Sequence, residues 1–410
     1  MARKLKNWLL AYRDYTEQTE SPEMFHIWCG LSALSASTQR KVYIDRSYFQ
    51  IYPNLYVVIV SPPGSCRKSS AMSYARSLLD QVPEINIESN KMTPQALIKS
   101  LSSQPLKQAT TKTTAKSQKG VQLKKVCATI LWSSEFSVTL GSDANQTGML
   151  SLLTDLFDCP NSWKYETLSR GREVLSNVFL GILGATTPDW LSTSIPTDAI
   201  GGGFTSRIIF VSQSRRRRNN PWPKMSPKLL ALRDALVHDL LEIAQLEGPM
   251  KITKEAEEFY DHWYNALDPH YMDERFWGYV ERKPVHLLKV AMLISLSFSN
   301  SMLIKVSYLE MALELLARVE ARMPEAFKGA GTSISRDVER VLGQIIDAKG
   351  QTTFAKLMHQ NIRTLSQHQL NEIISALERA NIISITLPAG SITLIDEKHL
   401  KQTKLDQEEG

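Results

Sequence analysis

The chain has 410 residues, 43% hydrophobic and 22% charged, which is enough apolar content to bury a large core in two or three domains. No uninterrupted apolar run reaches the ~18 residues of a membrane-spanning helix, and the start MARKLKNWLLAYRDYTEQ carries charges where a signal peptide would be apolar. A cytoplasmic protein with no membrane partner is expected, and its formal charge of +6 points toward a polyanion.

Residues 3 to 38 read as helices: in SPEMFHIWCGLSALSAS, Ser21 is placed as an N-cap and Pro22 at the first helical position, with apolar groups at helical spacing. Five short β-branched runs follow: LYVVIV (55–60), INI (85–87), VCATILW (126–132), VFLGILGAT (178–186) and RIIFVS (207–212). Continuous apolar strands alternating with helical stretches predict a largely parallel sheet covered on both faces, over about residues 50 to 215. Before the third run, SSQPLKQATTKTTAKSQKGVQLKK is polar, rich in Thr and Lys and without apolar period, so a mobile insertion is expected. From Glu88 to Glu135 no acid intervenes, while Lys91, Lys99, Lys107, Lys112, Lys116, Lys119, Lys124 and Lys125 all fall there. Arg215, Arg216, Arg217 and Arg218 form a second basic cluster. Both suit a polyanion whose counterions are released on binding; solvated loops are the bland alternative.

From about 225 to 330 the pattern is helical, notably in PVHLLKVAMLISLSF and VSYLEMALELLARVEARM, and reads as a lid or bundle. After KGAGTS come three helices with short links, ISRDVERVLGQIIDAKG, TTFAKLMHQ and SQHQLNEIISALERA. The alternating strands of IISITLPAGSITLID follow, around a Pro-Ala-Gly turn. This tail reads as a winged helix with its wing at Pro388 to Ser391, serving either DNA or protein docking. The expected organisation is a helical region over 1–50, an α/β core over 51–220, a helical lid over 221–330 and a winged helix over 331–410. The four cysteines, Cys29, Cys66, Cys127 and Cys159, lack metal-ligand spacing and read as free thiols.

The stretch SPPGSCRKSS, Ser61 to Ser70, joins the first apolar run to the helix-like AMSYARSLL. In a phosphate loop, backbone N–H groups and a helix N-terminus hold the phosphates, a lysine reaches the outer ones and a hydroxyl helps hold magnesium. Gly64, Ser65, Cys66, Arg67, Lys68, Ser69 and Ser70 would bind ATP in this way, with Lys68 on the outer phosphates and Ser69 on Mg2+. The standard G-x4-G-K-[ST] pattern is not met, because Pro62 and Arg67 stand at its glycine positions; an ordinary Pro/Gly turn is the alternative. CATILWSSEF ends a strand with Ser134 and Glu135, placing Glu135 as catalytic base and Ser134 on Mg2+ through water; a solvent-facing glutamate is the alternative. Thr186 and Thr187 close FLGILGATTP, either orienting water beside a γ-phosphate or capping the strand. In GGGFTSRIIFV the run Gly201 to Gly203 would let Arg207 be presented at the beginning of a strand, as an arginine finger on a neighbour's nucleotide.

The order of SPPGSCRKSS, ILWSSEF, GILGATTPDWL and GGGFTSRIIFV, with FHIWCGLSALSA before them, resembles the phage and mobile-element proteins grouped as domain of unknown function 3987, over about residues 20 to 300. The resemblance implies a helicase-like P-loop ATPase often found beside or fused to a primase, so a primase or primase-polymerase is an expected partner. It also makes arginine before Lys68 a family trait, whereas Ser134 departs from the acid commoner there. More widely the chain resembles AAA+ ring helicases that end in a winged helix, such as the minichromosome-maintenance proteins. The core would then be an AAA+ or RecA-like P-loop NTPase. In those proteins and in viral superfamily-three helicases, a hairpin before the sensor strand carries basic residues into the ring's channel. WKYETLSRGREVLSNVFL lies in that place, so Arg170 and Arg172 are expected on the DNA backbone with Gly171 in the turn. Lys112, Lys116 and Lys119 of the insertion would add non-specific affinity. Lys289, in HLLKVAM, is a candidate second sensor or a lysine snorkelling from a buried face.

The expected function is an ATP-driven, ring-forming translocase, a hexamer acting on single-stranded or forked DNA as a replicative helicase. The alternatives are an ATP-dependent initiator or helicase loader without processive unwinding, and a degenerate nucleotide fold with a scaffolding role.

Overall fold

The computed structural model describes residues 2–88, 92–103, 107–108, 123–124, 126–140, 148–167, 171–194, 202–327, 333–348, 350–362, 364–386 and 391–395. Lys112, Lys116, Lys119, Arg170, Gly201 and the wing residues 388–390 lie outside the described residues. By internal packing the chain divides into two compact units, Met1–Trp190 with Asp198–Ala326, and Leu191–Thr197 with Phe327–Gly410.

The first unit is α/β. Each of the five apolar runs supplies one strand of a single parallel sheet: β1 (Tyr56–Val60), β2 (Ile87–Glu88), β3 (Cys127–Ser133), β4 (Val178–Thr186) and β5 (Ile209–Ser212). All pairs are parallel and the order across the sheet is β5-β1-β4-β3-β2, so β4 lies between the first and third strands. Every residue of β1, β3, β4 and β5 is buried, which is why these strands read as unbroken apolar runs rather than alternating ones. The register sets Thr186 beside Val60 on one side, and Gly184 beside Ser133 on the other.

Helices α1 (Trp8–Tyr15) and α2 (Glu23–Thr38) belong to the same unit. α2 is buried along nearly its whole length and packs on α3 (Lys68–Leu79), on β1, β4 and β5, and on the helices Pro227–Ala244 and Trp277–Phe298. The helix does not begin as expected: Pro22 is its N-cap, and the Ser21 hydroxyl donates instead to the Arg67 carbonyl, 3.0 Å away. A small strand that sequence pattern did not reveal, Val42–Asp45, pairs in parallel with the distant Gly248–Pro249 and with Gln50–Ile51 in a hairpin.

The hairpin expected before the fourth run is present, with Ser162–Thr167 paired antiparallel to Gly171–Ser176. Gly171 has φ of 71°, a left-handed backbone suited to a residue without Cβ at the return of the chain. Of the Lys-rich insertion, Lys107–Gln108 pairs antiparallel with Leu123–Lys124.

The second unit runs helix Ser333–Asp347, strand Gln351–Thr353, helices Phe354–Asn361 and Gln367–Arg379, then strands Ile383–Thr386 and Ser391–Leu394. Its three strands form an antiparallel sheet with Ser391–Leu394 in the middle. Val341, Ile345, Leu357, Leu370, Ile373, Leu377 and Ile392 make its core. Ser366 and Gln369 form a capping box that starts the third helix.

Candidate functional site

The carboxyl ends of β1, β4 and β3 converge on one edge of the sheet, the place where open parallel sheets bind ligands. From β1 the chain enters the loop Ser61–Arg67 and then α3. Two loop residues are left-handed, Gly64 at φ 68° and Arg67 at φ 51°, ψ 44°. Such alternation turns backbone N–H groups toward a common concavity. A Cβ on Gly64 would meet nothing within 4 Å, so that glycine is needed for its torsion rather than for space.

The start of α3 is open to an anion. Arg67, at its N-cap, makes no side-chain capping bond, and the first turn contains no acid, so its orphan N–H groups and the positive end of the helix dipole stay uncompensated. Ser69 and Ser70 are exposed beside it. Lys68 lies over the loop: its Nζ donates to Ser61 O at 2.6 Å, Ser61 Oγ at 3.1 Å and Pro62 O at 3.4 Å. Burial lowers its pKa from the ordinary value, so an incoming anion would relieve a charge held here only by neutral oxygens. Cys66 is buried, its Sγ 3.4 Å from Gln213 O, and fastens the loop to the end of β5.

Across β4 from this loop lies Glu135. It follows β3 and precedes the short helix Phe136–Leu140, and both Glu135 and Ser134 are exposed. The last paired residue of β3 is Ser133, opposite Gly184, and Glu135 follows it two residues on, where the chain leaves the sheet at the same carboxyl edge at which Thr186 pairs with Val60. With neighbouring strands about 4.8 Å apart, the strand that delivers Glu135 runs roughly 10 Å from β1, with β4 between them. Thr186 is buried between them, its carbonyl accepting from Ser61 N at 3.3 Å. Thr187 Oγ1 is taken up by Trp190 N at 3.4 Å, capping the helix Pro188–Ser194.

Gly184 is a supporting residue that sequence pattern hid inside an apolar run. A Cβ there would come within 2.7 Å of the Phe136 ring, so the missing side chain lets Phe136, next to Glu135, pack closely on β4. Ser69, Ser134 and Glu135 are exposed and offer only oxygen donors, the kind Mg2+ takes together with water and phosphate. Among the described residues no three His, Cys, Asp or Glu side chains cluster as a closed protein metal site.

Arg207 is not where a projecting finger would be. It ends the 3-10 turn Thr205–Arg207 ahead of β5, level with the amino end of β1 and about 16 Å along the strands from Val60. Its side chain is buried, donating to Gly203 O at 2.5 Å and lying 3.4 Å from Asp158 Oδ2 and 5.7 Å from the Phe157 ring centroid. Gly203 holds this arginine inward, because its carbonyl is the acceptor. Lys289 is neither a sensor at the loop nor a snorkelling lysine: it is buried at the same amino end, with Nζ 2.6 Å from Asn54 Oδ1 and 3.8 Å from the Phe157 ring centroid. Desolvation lowers its pKa to about 8.

The basic run at 215–218 is also engaged internally. Arg216 pairs with Glu20, Arg217 with Glu23 and Arg218 with Glu17, so three of its four charges answer acids on and around the α1–α2 connection. On the hairpin, Trp163 and Tyr165 stack at 5.9 Å, with Leu175 buried on the same face, while Lys164 and Arg172 are exposed on the other. All four cysteines are free and buried. No helix among the described residues is long and apolar enough to cross a membrane. A scan against protein-family models finds no match to the chain, and no curated protein matches it.

Proposed function

We propose that the chain is an ATP-dependent motor acting on DNA, a P-loop NTPase core joined to a winged helix. The observation that carries this reading is that an uncapped helix N-terminus with Lys68 follows β1, and Glu135 follows β3, at the same carboxyl edge of the sheet with only β4 between the two strands. Phosphates would lie on the loop and the first turn of α3, with Lys68 leaving its carbonyl partners for the outer phosphate oxygens. Ser69, with Ser134 and Glu135 through water, would hold Mg2+, which neutralises charge on the phosphates when bound. Glu135 would take the proton of the attacking water. The hairpin Ser162–Ser176 presents Arg172 and Lys164 to solvent, which supports a role in holding the DNA backbone. The α-β-α-α-β-β order of the second unit supports its reading as a winged helix.

The ring, the hexamer and the primase partner rest on the resemblance of motif order to the helicase-like phage proteins. The test is ATP turnover with and without single-stranded DNA, for the unaltered chain, Lys68→Ala and Glu135→Gln. DNA-stimulated turnover that both substitutions abolish supports the motor. Tight ATP binding without turnover at any protein concentration selects the initiator or loader reading, which the inward-folded Arg207 favours. No ATP binding at all returns the loop to an ordinary turn.

A further inference from the structure

A phosphate loop ordinarily spends a glycine on the left-handed residue before its lysine, and this chain has Arg67 there, at φ 51°. Left-handed backbone is unfavourable for a residue with a Cβ, so something must hold it. Two neighbours on the connection between α1 and α2 do so. Glu20 Oε2 accepts from Arg67 Nε at 2.8 Å, and the Ser21 hydroxyl donates to the Arg67 carbonyl at 3.0 Å. One draws the side chain away from the loop and the other fixes the peptide that follows.

Glu20 is itself held. Its other carboxylate oxygen accepts from Asn220 N at 3.2 Å and Arg216 Nη1 at 3.3 Å, and its carbonyl accepts from Arg217 N at 3.0 Å. The connection is thereby pinned on one side by the arginine run and braces the loop on the other. We infer that Glu20 is a positioning residue for the nucleotide loop: its carboxylate, with the Ser21 hydroxyl, does for Arg67 what a glycine does unaided.

The inference rests on the loop being a nucleotide site, and its test separates the two ideas. The ATP dissociation constant would be measured calorimetrically with Mg2+ for the unaltered chain, Glu20→Gln, Arg67→Gly and the double variant. The expected result is about tenfold weaker binding on going to Glu20→Gln in the unaltered chain, and no further weakening when Glu20→Gln is added to Arg67→Gly, because glycine at 67 needs no brace. The loss of the effect is the decisive reading, since glycine at 67 cannot restore the lost pairing of Glu20 with Arg216, and a merely structural Glu20 would weaken both backgrounds alike. Native-like ATP binding by Glu20→Gln, or equal weakening in the two backgrounds, overturns the brace and leaves the nucleotide site standing. An unaltered chain that binds no ATP, and an Arg67→Gly chain that binds none either, overturns both.

Discussion

At the carboxyl end of the central sheet Ser69, Ser134 and Glu135 face solvent and Lys68 is only partly covered; at the amino end Arg207, His286 and Lys289 are buried. The polar groups differ in their partners as much as in their exposure. Lys68 rests on carbonyl and hydroxyl oxygens that a phosphate would replace, whereas Lys289 sits on Asn54, whose amide is committed to Phe157 O and Leu180 O. Two lysines that look alike in sequence thus part company over what else their partners hold. Removing a group from the first end should cost chemistry, and from the second, stability.

The largest effect should come at the first end. Glu135→Gln is expected to reduce ATP turnover by about 10²- to 10⁴-fold, the ordinary worth of a positioned general base, while its melting temperature stays within a degree or so of the native value. Steady-state turnover beside a thermal melt checks both halves. A glutamine variant with native turnover would remove Glu135 from the chemistry and make it the solvent-facing residue its exposure also allows.

Arg207→Ala tests the second end. Loss of a charged donor to Gly203 O and of packing against Phe157 should lower stability by about 2 kcal/mol, read by urea unfolding. Equal mixtures with Glu135→Gln subunits should then show no more turnover than the Arg207→Ala subunits alone. The opposite pattern, native stability with turnover regained in the mixture, would show that the side chain leaves its pocket to serve a neighbour's nucleotide.

That contrast marks what the sequence made legible. Four of the five strands were readable because burial on both faces turns each into an apolar run bounded by turn residues, while the short β2 is only partly covered. The tail's helices and last two strands were readable from period and caps, though its strand Gln351–Thr353 was absorbed into a helical segment. Pairings between distant residues were not. Nothing local to Arg207 announces Asp158, nothing local to the arginine run announces Glu17, Glu20 and Glu23, and a loop whose glycine is missing does not name its brace. Flexible glycines and clustered arginines were read as reaching outward, because a one-dimensional pattern cannot show the acceptor they fold onto.

A smaller effect separates the ends by pH. His286 is fully buried, its Nε2 3.1 Å from Ser206 O, and desolvation pushes its pKa from 6.5 down to about 3. The unfolded chain therefore takes up the proton first, so stability falls as pH drops from about 6.5 toward 3, by at most about 1.4 kcal/mol per pH unit for this residue. His26, also near 3 for the same reason, adds in the same direction. His286→Gln keeps a donor for Ser206 O without the titration, and urea unfolding between pH 6 and 4 should show a shallower slope. An unchanged slope would mean that the acid sensitivity between pH 6 and 4 lies in other groups; Glu20, whose pairing with Arg67 lowers its pKa, loses its contribution only at more acidic pH.

The smallest expected effect concerns the hairpin, which resembles neither end. Its inner face is packed, with Trp163 Nε1 3.3 Å from Asp155 Oδ2 and Tyr165 OH accepting from Gln95 Nε2 at 3.4 Å, while its outer face leaves charges in water. Arg172 stands directly across from Glu166 in the register, so part of its field is already answered within the hairpin. Arg172→Ala should therefore weaken single-stranded DNA binding only several-fold, and should flatten the dependence of log Kd on log salt by about 0.7, the share of a single phosphate that the arginine would otherwise neutralise. Glu166→Gln should act with the opposite sign, tightening DNA binding by freeing the arginine. Fluorescence anisotropy over a salt series reads both, and if the two substitutions move affinity the same way the hairpin's outer face is not what meets the phosphates.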